Sequence, residues 1–248
     1  MIGKLGNRVF RKLDTLSIAE ANALFANSLW IAKLVKRIYS IEPKICYPGI
    51  DEELFKHAAQ VDPSIESRKP FILSTSRHYP QKRLDWLIDM MPTILSRCPS
   101  ASLVMTGKFT NYTTRLSKLC EGHGVEGRVV FIGEVDEETL IQLYTAANVC
   151  AYPAPEEDFG LGPLEAGACG TPSIVWDYAG LSETVVDGVT GYRAKPYDLN
   201  DFAEKVSRVL LDDALGKVLG LNAESYVKRE FTWKKHVDEL ESALYSIT

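Results

Sequence analysis

The sequence predicts an α/β protein built on a doubly wound parallel sheet, and two observations carry that prediction. From residue 70 onward, short apolar runs alternate with segments of helical periodicity, which is typical of parallel strands joined by crossover helices. The runs are apolar throughout, as expected for strands covered by helices on both faces. The predicted strands are 71–74, 102–106, 129–132, 149–152, 173–176 and 192–194, and the predicted helices are 82–97, 113–120, 137–146, 163–169, 198–211 and 214–229.

The first 62 residues follow a different pattern from the rest of the chain. They predict a basic helix to about Ala19, a short strand at 24–26, a helix that begins at Ser28, and a strand near 45–47. Two short strands do not provide a sheet large enough for a core of their own. A polar connector at 60–69 then leads into the main domain.

The composition is that of an ordinary globular protein. The chain has 248 residues, of which 46% are hydrophobic and 25% charged, and its formal net charge is −5. That charge does not suit general contact with a phosphate backbone, so we expect no nucleic-acid partner. The five cysteines are odd in number and widely spaced, unlike a disulfide framework or a paired metal site. We therefore expect a reducing, cytoplasmic location.

The most apolar stretch, residues 16–35, does not predict a membrane span or a signal peptide. Polar and charged side chains such as Glu20 and Lys33 interrupt it. The head before it is basic, with Lys4, Arg8, Arg11 and Lys12 ahead of the first acidic residue. Two interpretations of this head stay open: a solvated helix face, which charge runs usually are, and a patch in peripheral contact with a membrane surface.

A glycine motif at Gly122, Gly124 and Gly127 lacks the context of a dinucleotide site. Such a site follows a strand and opens a helix, whereas this motif follows a predicted helix and precedes a strand. The sequence contains no Asp-x-Asp pair that could hold a divalent metal on a nucleotide diphosphate. We therefore expect neither a bound metal nor a cofactor.

The most informative segment follows the predicted strand at 149–152 and opens a short helix. Pro163 suits the first helical position, and Gly170 followed by Pro172 suits the end of the helix. The amide groups of Leu161 and Gly162 then lie near a helix N-terminus, which attracts an anion such as a phosphate group.

Two carboxylates, Glu157 and Glu165, flank this predicted anion site. Carboxylates beside a phosphate group are unfavourable unless they accept protons from hydroxyl groups, so the pair indicates a ligand with both phosphate and sugar hydroxyls. The alternative is a solvated Glu157 and a Glu165 that only complements the dipole of its own helix.

Two cations, Arg77 and Lys82, come just after the first strand of the main domain. In a doubly wound sheet, ligands bind beyond the carboxyl ends of the strands, so this loop and the Glu157 loop open on the same side. The two cations could face a diphosphate. Ordinary surface charges, which serve solubility, are the alternative.

Together these segments resemble the C-terminal half of a retaining glycosyltransferase of family 4. The resemblance covers nearly the whole chain, and it rests on several separately spaced motifs in the right order. They are Arg77 and Lys82, Glu157 to Glu165 with Phe159-Gly160-Leu161 between them, Gly170-Thr171-Pro172, Gly180-Leu181-Ser182-Glu183, Asp187-Gly188-Val189-Thr190-Gly191, Phe25-Ala26-Asn27-Ser28, Tyr47-Pro48-Gly49-Ile50-Asp51 and Phe231-Thr232-Trp233. The implied fold class is α/β, a Rossmann-like doubly wound parallel sheet that forms the C-terminal domain of a GT-B glycosyltransferase.

The resemblance also implies roles for individual residues. Arg77 and Lys82 would hold the diphosphate of a nucleotide-sugar donor together with the amides of Leu161 and Gly162, and Glu165 would accept from the ribose. Glu157, with the backbone of Phe159 and Gly160, would hold hydroxyls of the transferred sugar, and Gly133, Glu134 and Val135 would line the base. Arg77, Lys82 and Glu157 are the candidate catalytic residues. In members of this kind no metal is needed, and the residues supply charge stabilisation while the sugar is replaced on one face.

The resemblance implies a division of the chain and a set of partners. Residues 1–62 would be the remnant of an N-terminal acceptor domain with its connector, 63–230 the donor-binding domain, and 231–248 a helix that returns toward the N-terminal domain. The acceptor would be a glycan or a lipid-linked molecule. Most of the acceptor domain is not in this sequence, so the chain is either a fragment or one half of an assembly in which a second chain supplies the rest.

Two departures from the family pattern alter loop shape more than charge. Ser76 stands where the family often has glycine, and Tyr178-Ala179-Gly180 replaces a common Gly-Gly pair.

The sugar, the base and the activity of this chain leave alternatives open. The segment 156–160 is similar to the loop of GDP-mannose-dependent members, which favours mannose. The main alternative function is a non-catalytic nucleotide-sugar binding module, and a GT-B epimerase fits the two-glutamate loop less well.

Overall fold

Six parallel strands form the main sheet of the protein. The computed structural model describes residues 2–51, 53–54, 58 and 60–246. The strands are β1 (Phe25–Ala26), β2 (Lys44–Ile45), β3 (Phe71–Thr75), β4 (Ser102–Thr106), β5 (Val129–Gly133), β6 (Val149–Tyr152), β7 (Ser173–Trp176) and β8 (Gly191–Ala194). The order of the main sheet is β5-β4-β3-β6-β7-β8, so the chain winds outward in both directions from β3 and β6. The predicted α/β doubly wound parallel sheet is confirmed.

Helices cover both faces of the sheet. They are α1 (Ile2–Ala19), α2 (Leu29–Tyr39), α3 (Pro63–Glu66), α4 (Leu84–Arg97), α5 (Asn111–His123), α6 (Glu137–Ala146), α7 (Gly162–Ala168), α8 (Leu181–Thr184), α9 (Leu199–Leu211), α10 (Asp213–Glu230) and α11 (Trp233–Tyr245). Ile72 and Leu103 point into the core under α4, α5 and α9, whereas Phe71 and Leu73 point into the core under α6 and α7. The uninterrupted apolar strands thus serve two cores at once.

The strands of the main sheet begin and end within one residue of the predicted positions. The strands β4, β6 and β7 match their predicted ranges, while β3 and β5 are each one residue longer and β8 begins one residue earlier. Apolar runs bounded by polar or turn residues define such strands well because burial on both faces leaves no other arrangement for them.

Two helices begin two residues away from their predicted starts, for local reasons. The predicted helix at 82–97 begins only at Leu84, because Pro80–Lys82 forms a 3₁₀ turn and Arg83 has a left-handed φ of 51°. The predicted helix at 113–120 extends over Asn111–His123, because Thr110 and Thr113 form a capping box at its start.

The segment before the main sheet packs through a small sheet of its own. The strands β1 and β2 pair in parallel, and Ser28 begins α2 as predicted, its hydroxyl accepting from the Ile31 amide at 3.0 Å. The last helix lies beside β2: the Lys44 ammonium donates to Ser246 Oγ at 3.0 Å, and His236 Nδ1 is 2.8 Å from the Tyr47 carbonyl oxygen. None of the helices in the described part of the chain is both long enough and apolar enough to cross a bilayer.

Candidate functional site

A cavity of about 90 Å³ lies beyond the carboxyl ends of β3 and β6, the two strands at which the winding direction reverses. This reversal point is where open α/β sheets bind their ligands. The cavity is lined by Ser74, Thr75, Ser76, Lys82, Tyr152, Pro153, Ala154, Glu157, Gly160, Leu161, Gly162, Pro163 and Leu181. The structure therefore brings together Lys82, Glu157, Gly160, Leu161 and Gly162, which the sequence predicts as one site.

Lys82 and Glu157 meet directly across the mouth of this cavity. The Lys82 ammonium donates to Glu157 Oε2 at 2.5 Å, and each side chain keeps 27% of its surface exposed. A cation and an anion that pair in this way remain accessible to a ligand. An anionic group of a ligand can pair with the Lys82 ammonium, and a hydroxyl group of a ligand can donate a hydrogen bond to the Glu157 carboxylate.

The loop between Glu157 and α7 has a shape that requires its glycines. Gly160 has a φ of +92°, and a Cβ there would lie 2.5 Å from Leu181 Cδ2. A Cβ on Gly162 would lie 2.6 Å from the Tyr152 ring, so the backbone runs in contact with that ring at the start of α7. The helix α7 begins at Gly162 rather than at the predicted Pro163, and both residues line the cavity together with Leu161.

Glu165 is half-buried and lies outside the residues that line the cavity. Its Oε2 accepts from the Tyr144 hydroxyl at 2.7 Å, and that hydroxyl lies 2.7 Å from Thr75 Oγ1, which in turn lies 3.1 Å from the Tyr152 hydroxyl. Burial raises the pKa of the Glu165 carboxyl, and the Tyr144 hydrogen bond opposes part of that rise. The network ends at Thr75 and Tyr152, which line the cavity, so Glu165 is connected to it by hydroxyl groups.

Two serine hydroxyls at the end of β3 lack a partner. Among the residues that the structure describes, Ser74 Oγ and Ser76 Oγ are buried side-chain oxygens without a hydrogen bond. Ser74 is 1% exposed, and both residues line the cavity. A buried hydroxyl without a partner is unfavourable, so these two groups are suited to bonds with a ligand in the cavity.

Arg77 occupies a different position from Lys82. Its side chain is exposed, its guanidinium lies 5.8 Å from the Tyr79 ring centre, and it is not among the residues that line the cavity. The adjacent His78, by contrast, is fully buried: its Nδ1 lies 3.0 Å from Thr113 Oγ1, and its ring packs against Phe109 and Phe131. His78 thereby fixes the loop that carries Arg77.

The predicted base-lining segment forms the end of β5. The Gly133 carbonyl accepts from the Gly107 amide at 2.7 Å and from Thr106 Oγ1 at 2.5 Å, and Gly133 has a φ of +84°. The Phe109 ring rests 3.4 Å from the position that a Cβ on Gly133 would take. Glu134 is exposed and Val135 half-buried, and both lie outside the residues that line the cavity.

A larger groove lies elsewhere on the molecule. Its volume is about 720 Å³, and its lining is mostly acidic and amide side chains at the start of α6 and in the connector, among them Glu53, Asp136, Glu137 and Glu138. Such a lining repels an anion. In the part of the chain that the structure describes, no three carboxylate, imidazole or thiol groups are close enough together to hold a metal ion.

Sequence reasoning did not assign a role to Ser28, Tyr47 or Glu183. Ser28 and Tyr47 contact the loop between Glu157 and α7, and Glu183 contacts the segments that carry them. Glu183 accepts from the amides of Leu29 and Trp30, both at 2.8 Å, and from the Tyr47 hydroxyl at 2.9 Å. These contacts join residues more than 130 positions apart. The only sequence signals for them are the helix-start pattern at Ser28 and the motif around Glu183, and neither signal says that the two meet.

Comparison with known proteins assigns the family. The family model for glycosyl transferases group 1 matches residues 56–226, which is more than half of the chain. The chain therefore belongs to this glycosyltransferase family. A related glycosyltransferase of uncharacterised function from Methanocaldococcus jannaschii is 36% identical over 169 residues, which are 68% of this chain and 43% of the relative. The D-inositol 3-phosphate glycosyltransferase of Nocardia farcinica is 29% identical over 87% of this chain and 51% of its own length.

Solved structures show the same fold. The sucrose-phosphate synthase of Thermosynechococcus elongatus superposes with a TM-score of 0.84 and 26% identity, over 97% of this chain and 63% of that chain. HepE of Anabaena, in complex with UDP and glucose, superposes with a TM-score of 0.79 and 23% identity, over 91% of this chain and 64% of that chain. The fold is confirmed as that of a GT-B glycosyltransferase, and the chain spans about half the length of the curated relatives that it matches.

Proposed function

We propose that this chain carries the donor-binding half of an enzyme that transfers a sugar from a nucleoside-diphosphate sugar to a glycan or lipid-linked acceptor. The observation that carries the proposal is the Lys82–Glu157 pair, which opens onto a cavity at the reversal point of the sheet. The pair offers a cation for phosphate and a carboxylate for hydroxyls side by side. A nucleotide sugar presents those same two groups next to each other.

The donor diphosphate is proposed to bind between Lys82 and the start of α7. The unpartnered hydroxyls of Ser74 and Ser76 face the same cavity and can donate to phosphate oxygens. Arg77 reaches the diphosphate if its exposed side chain turns from Tyr79 toward the loop. Glu165 accepts from the ribose, and the segment Gly133, Glu134 and Val135 lines the base.

The sugar is proposed to lie against Glu157 and the backbone of Phe159 and Gly160. Transfer with retention, as in family 4 enzymes, asks the site to stabilise a leaving diphosphate rather than to supply an acid and a base. Lys82, the first amides of α7 and Arg77 provide positive potential for that purpose without a metal ion. Arg77, Lys82 and Glu157 are thus the proposed catalytic residues.

The donor is proposed to be GDP-mannose, on the likeness of the segment 156–160 to mannose-dependent enzymes. UDP-glucose belongs in the same donor panel because HepE is solved in complex with UDP and glucose, and inositol 3-phosphate belongs in the acceptor panel because a relative is named for it.

Calorimetry with GDP, UDP, GDP-mannose and UDP-glucose, each with and without chelator, tests the proposal. We expect one nucleotide pair to bind equally well under both conditions. Substituting Lys82 or Arg77 with alanine should cost roughly 1.5–3 kcal/mol of binding free energy each, as for hydrogen bonds to charged groups. Arg115 is exposed on α5 and does not line the cavity, so Arg115→Ala provides a matched control.

Three outcomes would count against parts of this proposal. Loss of binding in chelator contradicts metal independence, and binding of UDP-sugars alone contradicts the mannose assignment. Unchanged affinity in Lys82→Ala contradicts the site. Donor binding without hydrolysis or transfer, both alone and with a candidate acceptor-domain chain, would favour a non-catalytic binding module.

A further inference from the structure

The loop between Glu157 and α7, which we call the donor loop, is supported by the segment at the start of α2. Ser28 is fully buried, and its hydroxyl donates to the carbonyl oxygen of Asp158 at 2.6 Å. Asp158 lies between Glu157 and Phe159, two of the residues proposed to hold the sugar. The Ser28 hydroxyl therefore bonds to the backbone of the sugar-binding segment itself.

The same loop is held from its other side by the turn before α8. The Gly180 amide donates to the Glu157 carbonyl oxygen at 2.9 Å, and a Cβ on Gly180 would lie 2.1 Å from the Asp158 oxygen. The two carbonyl groups in succession, those of Glu157 and Asp158, are thus fixed by different elements. This fixes the direction in which the Glu157 side chain leaves the backbone.

Glu183 joins these two supports into one unit. It is the third residue of α8, and its carboxylate accepts from the first two amides of α2, those of Leu29 and Trp30. A carboxylate at a helix N-terminus is favourable both for the unpaired amides and for the helix dipole. Glu183 thereby holds the start of α2, and with it Ser28, at a set distance from the donor loop.

A cluster of three aromatic rings also packs against the donor loop. The Tyr47 ring stacks on Phe159 with ring centres 5.4 Å apart, and both rings pack against Phe231. The Tyr47 hydroxyl also donates to Glu183 at 2.9 Å, and burial together with that carboxylate raises the pKa of Tyr47 far above its usual range. Tyr47 thus contacts both the donor loop, through Phe159, and α8, through Glu183.

We infer that Ser28 is a positioning residue for the sugar part of the donor, acting through the Asp158 carbonyl, and that Glu183 keeps Ser28 in place. The inference rests on the proposed function for the identity of the ligand. Ser28 belongs to residues 1–62, which the family resemblance identifies only as the remnant of an acceptor domain with its connector. The inference gives this segment a part in donor binding.

The test compares three variants of the full chain. Ser28→Ala removes both the bond to Asp158 and the cap of α2, whereas Ser28→Thr keeps a hydroxyl for both. Asp212→Ala is the matched control, because Asp212 caps α10 by accepting from the Leu215 amide at 2.9 Å, far from the donor loop. Thermal unfolding of each variant shows whether it is folded at the temperature of the assay.

Calorimetry gives the first readout, as the ratio of affinities for a nucleotide sugar and for its nucleoside diphosphate. The pairs used are GDP-mannose with GDP and UDP-glucose with UDP. For Ser28→Ala we expect this ratio to fall by about threefold to tenfold, the effect of one hydrogen bond, with the nucleoside diphosphate affinity unchanged. Ser28→Thr and Asp212→Ala should keep the wild-type ratio.

Hydrogen exchange of the free chain gives a second readout that needs no ligand. In Ser28→Ala, the Gly180 amide, which donates to the Glu157 carbonyl oxygen of the donor loop, should exchange faster than in the Asp212→Ala control. If Ser28→Thr does not fold, Asp212→Ala remains the control, and Glu183→Gln is added as a second variant that disturbs the position of Ser28, for which we expect a fall in the same ratio.

The outcomes separate the inference from the proposed function. A wild-type chain that binds none of the four ligands would contradict the proposed function, and the exchange measurement would still decide whether Ser28 holds the loop. Equal losses of sugar and diphosphate affinity in Ser28→Ala, or unchanged exchange of the Gly180 amide, would overturn the inference.

Discussion

The half-buried position of the Glu165 carboxyl lowers the stability of the fold when the group is charged, so stability does not explain why a glutamate stands there. Its carboxylate is held by the Tyr144 hydroxyl, and burial raises its pKa above that of the same group in an unfolded chain. A carboxyl group with a raised pKa in the folded state makes the fold less stable at pH values above that pKa, because the charged form is the poorly solvated one. The cost disappears as the pH falls and the group becomes protonated.

We predict that Glu165→Gln is more stable than wild type at pH 7 and binds the nucleoside diphosphate more weakly. The amide keeps an oxygen for Tyr144 and carries no charge to bury, but it is a poorer acceptor for a ribose hydroxyl. The loss of affinity should be roughly 1.5–3 kcal/mol. Urea unfolding from pH 4 to 8 and calorimetry check the two parts.

The pH dependence supplies the control for that prediction. The difference in unfolding free energy between Glu165→Gln and wild type should shrink as the pH falls, because wild-type Glu165 then becomes neutral as well. Glu157→Gln, at the cavity mouth, should instead weaken the preference for the sugar-bearing donor. Identical binding profiles for the two variants would contradict their separate roles.

Two neighbouring residues, Ala179 and Gly180, differ in what limits their side chains: backbone strain at Ala179 and lack of space at Gly180. Ala179 has a left-handed φ of 55°, at a position where glycine was expected from the family pattern, and Gly180 has no room for a Cβ beside Asp158. We predict that the free energy of unfolding of Ala179→Gly lies within about 1 kcal/mol of the wild-type value. Relief of the left-handed strain offsets the greater freedom of glycine in the unfolded chain.

Gly180→Ala should destabilise the chain by about 1–3 kcal/mol, as for other side chains forced into filled space. Urea unfolding measures both substitutions. A Gly180→Ala variant as stable as Ala179→Gly would show that the Asp158 carbonyl is free to move, which would also weaken the case for a fixed donor loop.

At the scale of elements, the loop between β3 and α4 is held in place by one buried residue, His78. His78 donates its amide to the Lys108 carbonyl at 3.1 Å, and its own carbonyl accepts from Thr110 Oγ1, the residue that caps α5. In the described part of the chain its Nε2 is buried without a hydrogen bond. His78 thus ties two of the loops at the carboxyl edge of the sheet to each other.

We predict that the fold loses stability below about pH 6.5, the usual pKa of histidine, because of His78. Burial lowers the pKa of His78, so the unfolded chain takes up a proton at a pH where the folded chain does not. The contribution is complete above pH 6.5 and is lost progressively below it. The unfolding free energy as a function of pH, measured in wild type and His78→Phe, checks this.

The phenylalanine variant keeps a ring between Phe109 and Phe131 and removes the titration. Exposed His123, paired with Asp89 at 2.9 Å, gives the control variant His123→Phe. A pH profile of His78→Phe that matches wild type below pH 6.5 would contradict the prediction.

The elements themselves were largely predictable, and the exceptions have clear causes. Strands such as β4 and β7 match their predicted ranges because a fully apolar run can only be buried. The start of α4 was predicted two residues early, because periodicity does not show that Arg83 has a left-handed backbone. Helix starts depend on single backbone angles and caps, which a hydrophobic pattern averages out.

The site was predictable where its residues share one loop and not where they come from distant parts of the chain. Lys82, Glu157 and the glycines before α7 follow strand ends that the topology brings together. The bond of Ser28 to Asp158 spans 130 positions, and no local pattern encodes it. The exposed position of Arg77 was likewise not evident, because a side-chain conformation has no sequence signal.

At the scale of the whole molecule, α1 presents an apolar face to solvent. Phe10, Leu13 and Leu16 lie on one side of the helix at 72%, 55% and 51% exposure. The residues after α1 behave differently, since Trp30 packs edge-on against Tyr178 with ring centres 5.0 Å apart. Leu29 and Ile38 of α2 are also exposed, at 48% and 63%, so three of the five large apolar side chains described as exposed before residue 62 lie on α1.

We predict that the isolated chain self-associates through α1. Burying each of these three side chains would gain roughly 1.5–3 kcal/mol, enough to join chains at micromolar concentration. Light scattering over a concentration series should show association in wild type and much less in the triple serine variant of Phe10, Leu13 and Leu16.

The matched control replaces Leu211, Val218 and Leu221 with serine, which are similarly exposed at 60%, 56% and 64% but lie on other helices. Hydrogen exchange should be fast in α1 and slow in β3 and β4. A monodisperse monomer whose α1 amides are as protected as those of β3 would contradict the prediction.

The five cysteines give the protein a practical advantage as a reporter. All of them are buried, none more than 5% exposed, and burial raises the pKa of Cys169 to about 12 and that of Cys120 to about 11. Native thiols of this kind react slowly with alkylating dyes. A cysteine introduced at exposed Glu156 could therefore be labelled in the otherwise native chain, and the dye would sit beside Glu157, where its fluorescence would follow each ligand as it arrives and leaves.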